Sequence, residues 1–421
     1  MGSLRKLSKV DAALGLASVH IIHIQNAPEM SLANGRTYLA IPGPSVMPEA
    51  VLREMHRASP NIYEGELHDL TYSLIPDLKA VAMTNQNVAI YIGNGHAAWE
   101  AALTNILSAG DTVLVLATGR FCIGWGEMAE GLGCTVQTID YGDQSDIDLG
   151  LVEDALRADK AGKIKAVLAV HVDTSTSVKN DIAGLRRVLD AVGHDTLLLA
   201  DCIASLGCDR FEMDAWGVDV MVSACQKGLM TPAGISFVWY NAKADSRRGD
   251  RVTRYWDWRS RTDPEHYFQY FDGTAPTHHL YGLRKALDLI KAEGLEQVFT
   301  RHESLAQAVW AAFECWSSEG PIALNIADPT KRSHAVTAAT AGSPNADALR
   351  QWCEHKAGLT LGIGLGRTPA DAFFRIGHMG HVNAHMIMGV LGTMEAGLTA
   401  LNIPHGKGAV EAAAAVIAAK A

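Results

Sequence analysis

Residues 219–234, DVMVSACQKGLMTPAG, constrain this chain more than any other stretch. The apolar run Val220-Met221-Val222 stops at small and polar residues, and Gln226-Lys227-Gly228 follows. Upstream, TLLLADCIASLG at residues 196–207 repeats the design, with four apolar residues, then Asp201, then small residues and Gly207. Short apolar runs bounded in this way read as buried strands, each delivering a polar group at its carboxyl end. In open α/β sheets that end is where ligands bind.

Asp201 and Lys227 stand 26 residues apart on what read as two strand ends of one sheet. Each alone has an ordinary reading. A strand-end aspartate caps a helix or holds Mg²⁺ or a ribose, and a lysine after a strand sits in a solvated turn. Together they meet the needs of pyridoxal phosphate chemistry. There a lysine amine forms a Schiff base, and a carboxylate keeps the pyridine nitrogen protonated so that the ring accepts carbanion electrons. A third feature fits the same reading. In VAIYIGNGHAAWEAALTNIL (88–107) an apolar run, Val88–Ile92, ends at Gly93-Asn94-Gly95, and a helical pattern follows. Backbone N–H groups at such a helix start make an anion site, for which a phosphate is the natural guest.

The other stretches fall into place around these. LAIPGPSVMP (39–48) carries three prolines and a glycine, which stiffen an extended turn. DTVLVLATGRFCIGWGEMA (111–129) repeats strand then glycine, and AVLAVHVDTSTSV (166–178) is a strand ending in a polar cluster. ISFVWY (235–240) reads as a returning strand, 243–270 as an excursion rich in Arg, Trp and Tyr, and FDGTAPTHHLYGLRKALDLI (271–290) as the start of a long helix. Beyond about 290 the pattern is that of a smaller α+β unit, with a strand in AFFRIGHMG (372–380) and a final helix of strong propensity.

The order of these motifs resembles the class V aminotransferases of the fold-type I pyridoxal phosphate enzymes, and among them the alanine/serine–glyoxylate aminotransferase group. The matching stretches are IPGPSVMP (41–48), GNGHAAWEAALTNIL (93–107), HVDTSTSV (171–178), DCIASLG (201–207), SACQKG (223–228) and FRIGHMG (374–380). The resemblance implies a large domain with a mostly parallel central sheet flanked by helices, over residues 37–290, and a small C-terminal α+β domain over 291–421. Residues 1–36 match nothing in it and read as an N-terminal extension.

The resemblance also implies roles. Lys227 and Asp201 are the catalytic pair, with Gln226 beside the lysine. Asn94, Gly95 and His96 form the phosphate loop. Phe121 takes the place of the ring that stacks on the cofactor, with Trp125 one helical turn on as its rival. Thr174 supplies a hydroxyl near the cofactor ring. Gly43 and Pro44 lie against the substrate, and Arg375 reads its α-carboxylate as a bidentate fork. Thr274 reaches into a partner's site, so the resemblance implies a homodimer with active sites at the subunit interface. A tyrosine expected next to that phosphate is replaced by Phe271. The implied reaction is transamination between a small amino acid (alanine, serine or aspartate) and a 2-oxo acid such as glyoxylate or pyruvate, with pyridoxal 5'-phosphate on Lys227. Which amino donor is used stays open.

Bulk properties bound the rest. A net charge of −10 with pI near 5.9 argues against non-specific nucleic-acid binding. No apolar run approaches the length needed to span a bilayer. Seven scattered cysteines with no CxxC pair read as reduced thiols of a cytoplasmic protein. Two alternatives remain at this stage. One is a class V lyase or desulfurase, which needs a reactive cysteine on a mobile loop. The other is a metal-dependent hydrolase built on His378, His381 and His385, although no carboxylate stands at HExxH spacing and Gly380 disfavours a helix through the first pair. The expectation is of no metal.

Overall fold

The computed structural model describes residues 31–420. The expected N-terminal extension lies, up to residue 30, outside the described residues. Among the described residues twelve strands are formed: β1 Tyr38–Ala40, β2 Asn87–Gly93, β3 Thr112–Ala117, β4 Thr135–Asp140, β5 Ile164–Val170, β6 Leu197–Asp201, β7 Val220–Ala224, β8 Gly234–Tyr240, β9 Ala323–Leu324, β10 Val336–Thr340, β11 Leu359–Ile363 and β12 Phe373–Gly377.

The larger sheet has the order β2-β8-β7-β6-β5-β3-β4. Its strands run parallel except β8, which is antiparallel to both its neighbours. Every residue of β3, β6 and β7 is buried, which is why these strands read as unbroken apolar runs. Alternate residues serve two cores. Leu198, Ala200 and Met221 face one, while Leu197, Leu199, Val220 and Val222 face the other. Helices close both faces, giving the expected α/β architecture.

Neighbouring β6 and β7 pair Leu199 with Val220 and Asp201 with Val222, so their carboxyl ends emerge side by side. This register brings Asp201 and the residues after Ala224 to one edge.

A second sheet, β1-β11-β12-β10-β9, packs with the helices Leu295–Trp316, Asn345–Ala357 and Ala384–Ala400 around Val309, Phe313, Leu349, Phe374 and Leu391. It takes in one strand from the amino-terminal side. Tyr38 pairs in parallel with Leu359 and Ala40 with Leu361. Tyr38–Ala40, within the stretch 37–290 expected to form the large domain, thus pairs into the smaller sheet. Three residues are too few for their pattern to show which sheet they join.

The stretch 243–270 contains no strand, as expected, but it is built into the fold. Trp258 stacks on Tyr240 with ring centroids 4.1 Å apart. Arg261 is buried beneath Tyr91, donating to the carbonyls of Ile90 at 2.9 Å and Tyr270 at 3.1 Å. An arginine in an apolar sheet flank is held there by carbonyls, which satisfy its donors without a carboxylate.

Candidate active site

Ten of the expected residues line one cavity of about 240 Å³: Gly43, Pro44, Asn94, Gly95, His96, Phe121, Thr174, Asp201, Gln226 and Lys227. They come from six separate segments that converge at the carboxyl edge of the larger sheet.

Asp201 ends β6 and is buried. Its Oδ1 accepts the Ile203 amide at 2.7 Å and its Oδ2 accepts the Trp99 indole N–H at 2.8 Å. Burial pushes its carboxyl up to about 7, against the pull of these two hydrogen bonds. The group sits where a cationic ring N–H would restore its charge.

Lys227 follows β7 in a tight turn. Its backbone carbonyl accepts the Ser45 hydroxyl at 2.6 Å, and Ser45 N donates to the Gln226 carbonyl at 2.9 Å. Its amine touches the Pro42 carbonyl. Gly43 (φ +97°) lies against the same side chain, and a Cβ there would stand 2.5 Å from Lys227 Cδ. Burial, and after it the Arg375 charge, bring the amine down to about 8, with Asp201 opposing. A lysine so placed is partly unprotonated near neutral pH, the state in which an amine is a nucleophile and a base. Beside it, Gln226 Oε1 is buried without a hydrogen-bond partner among the described residues.

The helix Gly95–Ile106 begins at the cavity. Asn94 caps it, accepting the His96 amide at 3.1 Å. Gly95 packs against Ile203, whose Cδ1 would stand 2.3 Å from a Cβ placed there and would have to move. The helix start and its dipole meet the cavity as an anion site should.

Phe121 and Trp125 differ in position. Phe121 lines the cavity, whereas Trp125 is fully buried behind Trp99, their rings near parallel with centroids 6.0 Å apart. Phe121 is set by Asp173, whose Oδ2 accepts the Phe121 amide at 2.9 Å at the start of the helix Arg120–Gly131. Thr174 lines the cavity and turns its carbonyl to Arg375.

Two expected residues are not on the lining. Arg375, on β12, is buried with Nε donating to the Ile363 carbonyl at 2.7 Å and Nη1 to the Thr174 carbonyl at 2.8 Å. With Nε and one N–H of Nη1 engaged by carbonyls, Nη2 and the second N–H of Nη1 are left to meet a carboxylate. Burial brings its guanidinium down to about 10, and it lies close enough to depress Lys227. Thr274 is exposed in the turn before the helix Thr277–Glu293, and Phe271 is fully buried.

The histidine cluster comes apart. His378 is buried with Nε2 against Thr337 Oγ1 at 2.9 Å and Nδ1 against the His334 carbonyl at 2.9 Å, while His381 and His385 are exposed. Among the described residues no group of three or more His, Cys, Asp or Glu side chains is placed to hold a metal ion.

Sequence reasoning missed Trp99 and Asp173. Trp99 stands one helical turn beyond Gly95, on the face that already had to meet the cavity. A strand-end Asp expected to be buried needed donors, and an indole at that spacing was the available one.

The residues present suit pyridoxal phosphate: a carboxylate for the ring nitrogen, an amine of lowered pKa, a flat ring from Phe121 and a helix start for the phosphate. The fold is that of the fold-type I aminotransferases. The model of the family described as Aminotransferase class-V matches residues 37–366, and the chain belongs to that family. It is 36% identical to the serine–glyoxylate aminotransferase of Methylorubrum extorquens over 379 residues, 86% of this chain and 91% of the relative. It is 33% identical to the L-aspartate–glyoxylate aminotransferase of Paracoccus denitrificans over 380 residues, 89% of this chain and 94% of the relative. Among solved structures, the alanine–glyoxylate aminotransferase of Nostoc sp. superposes with a TM-score of 0.79 at 26% identity, over 91% of this chain and 100% of the other. The protein is an aminotransferase, and its family implies pyridoxal phosphate as cofactor.

Proposed function

We propose that this aminotransferase exchanges the amino group of a small amino acid, serine, alanine or aspartate, with a small 2-oxo acid such as glyoxylate or pyruvate. The names of the relatives support that substrate class. The observation that carries the reading for this chain is the pair Lys227 and Asp201 on one cavity, the amine low enough to exchange protons and the carboxylate buried where a ring cation would favour its charged form. Pyridoxal phosphate, when bound, supplies the electron sink.

The chain's residues do the rest. Lys227 Nζ would anchor the cofactor and, as a free amine, would take up the substrate α-proton and return it. Asp201, steadied by Trp99 and Ile203, accepts a hydrogen bond from the ring nitrogen. Asn94, Gly95 and His96 hold the phosphate at the helix start, Phe121 covers the ring, and Thr174 and Gln226 complete the cofactor contacts. Arg375 offers Nη2 and the second N–H of Nη1 to the substrate carboxylate, with Gly43 and Pro44 against the substrate.

Thr274 is exposed and off the cavity in a single chain, which fits a residue that completes a partner's phosphate site in a homodimer. Six of the seven cysteines are buried and Cys315 is half-buried in the helix Leu295–Trp316, so none is the exposed, reactive thiol that a desulfurase requires. Scattered free thiols suit the cytosol. No helix among the described residues is long and apolar enough to cross a membrane.

The test is to mix the cofactor-loaded enzyme with single amino acids, without acceptor, and follow the cofactor's visible absorbance. The donor bleaches it, and glyoxylate or pyruvate restores it. If no small amino acid changes the spectrum, the substrate class is wrong.

A further inference from the structure

A second cavity, of about 500 Å³, opens where the segment after β5 meets the helix Leu295–Trp316 and the segment before β10. It shares a wall with the active site. Val170, Val172 and Thr174 line the active-site cavity, while His171, between them, lines this one. An extended strand divides its residues in this way between its two sides.

His171 is 2% exposed, and its Nδ1 is buried without a hydrogen-bond partner among the described residues. The ring packs near Phe211 and Trp216, at centroid distances of 5.2 and 5.8 Å, and neither supplies a hydrogen bond. Buried polar atoms are nearly always paired, so an orphaned imidazole on a cavity wall marks the place of a guest. Burial brings this imidazole down to about 4, so it is neutral and carries one N–H donor.

Lys179 lies on the same wall, and its ammonium comes no closer to Asp209 than 3.9 Å, beyond hydrogen-bond distance. The 11-residue helix Ile182–Val192 starts on this wall too, with Asn180, Asp181 and Ile182 on the lining. The other cations are engaged, Arg210 by Glu212 and Glu296, and Lys331 by Asp146. Glu303, from the facing helix, lines the cavity without a salt bridge to a cation among the described residues.

We propose that this cavity binds a small oxyanion, a carboxylate or a phosphate, gripped by Lys179 and His171 at the start of the 182–192 helix. The donor set fixes the sign of the guest. An ammonium and an imidazole N–H donate, while Asp181, whose carboxylate caps the helix by accepting the Gly184 amide at 2.7 Å, and Glu303 on the far wall oppose a negative charge and limit its size.

The bound anion acts on the active site through the shared segment. His171 N donates to the Asp201 carbonyl at 2.8 Å, Thr174 O holds Arg375 at 2.8 Å, and Lys179 N donates to the Lys331 carbonyl at 2.8 Å. Fixing Lys179 and His171 therefore fixes the carbonyl that positions Arg375, and the affinity for the amino donor changes with occupancy.

The test is calorimetric titration of the cofactor-loaded enzyme with inorganic phosphate and, separately, with acetate. The two arms distinguish the source of the oxyanion. Saturable binding of at least one is expected, weakened about tenfold or more in Lys179→Gln, as follows from losing a charge-assisted hydrogen bond. Glu303→Gln is expected to bind more tightly, a gain that a merely damaged fold does not produce. Lys179→Gln keeps its transamination rate without added anion, which shows that it folds. If that variant does not fold, Glu303→Gln decides the matter. Absence of saturable binding for both anions overturns the proposal, as does equal affinity in Lys179→Gln, which would place the anion elsewhere. In wild type the anion is expected to shift the KM for the amino donor, and an unchanged KM overturns the regulatory part. The binding arm does not depend on which amino acid is the donor.

Discussion

Trp99→Phe removes one N–H and keeps a buried ring. The indole donates at 2.8 Å to Asp201 Oδ2, on a carboxyl already raised to about 7 by burial. A hydrogen bond to a charged group contributes about 1.5–3 kcal/mol, and about 1.4 kcal/mol corresponds to one pKa unit. Losing it raises Asp201 by roughly one to two units. At pH 7 the ionised fraction then falls from about a half to about a tenth or a hundredth, and cofactor affinity weakens about 5- to 50-fold.

The sign follows from the direction of the shift. A ligand that needs the carboxylate binds more tightly as pH rises through the Asp201 pKa, so the variant's affinity curve moves to higher pH. The two proteins converge where both are ionised, above about pH 9. The assay is titration of the apoenzyme with pyridoxal phosphate between pH 6 and 10, reading the ratio of wild-type to variant Kd. Lys227 also titrates in this range, and the ratio removes its contribution. A ratio that is flat with pH, at any size, would refute the coupling of Trp99 to the Asp201 charge and leave Trp99 as a packing residue.

Lys227→Ala is expected to lose nearly all transamination, because anchor and proton carrier are one amine; borohydride reduction of the loaded wild type followed by peptide mapping should tag Lys227 and no other lysine. Arg375→Ala should lower kcat/KM by about 10- to 150-fold, equivalent to roughly 1.5–3 kcal/mol, for an amino acid but not for the matching amine without a carboxylate. An equal loss on both substrates would make Arg375 a support of the fold. Gly43→Ala places a Cβ 2.5 Å from Lys227 Cδ and also strains a residue at φ +97°, so cofactor attachment should slow while far-UV circular dichroism is unchanged. Attachment at the wild-type rate would show that the lysine swings clear of Gly43. Sedimentation of the loaded enzyme should show a dimer, and a fully active monomer would remove the role proposed for Thr274.

Local pattern reaches as far as a strand and the turn that follows it. The unbroken apolar runs before Asp201 and Lys227 specified buried strands, the GNGHAAW turn specified a helix start, and six motifs in order specified the family. Those features depend on residues within about ten positions of one another, where backbone geometry and burial act directly on composition. What joins them is long-range, and only the winding of the chain decided it. Trp99 reaches Asp201 across 102 residues because the helix Gly95–Ile106 lies over the sheet edge. Arg375 reaches the Thr174 carbonyl across 201 residues because β12 of the smaller sheet packs against the segment after β5. Tyr38–Ala40 joins the smaller sheet because the partner strand β11 lies there. Hydrogen bonds and burial between distant segments are set by which surfaces the topology presses together, and no local spacing encodes that.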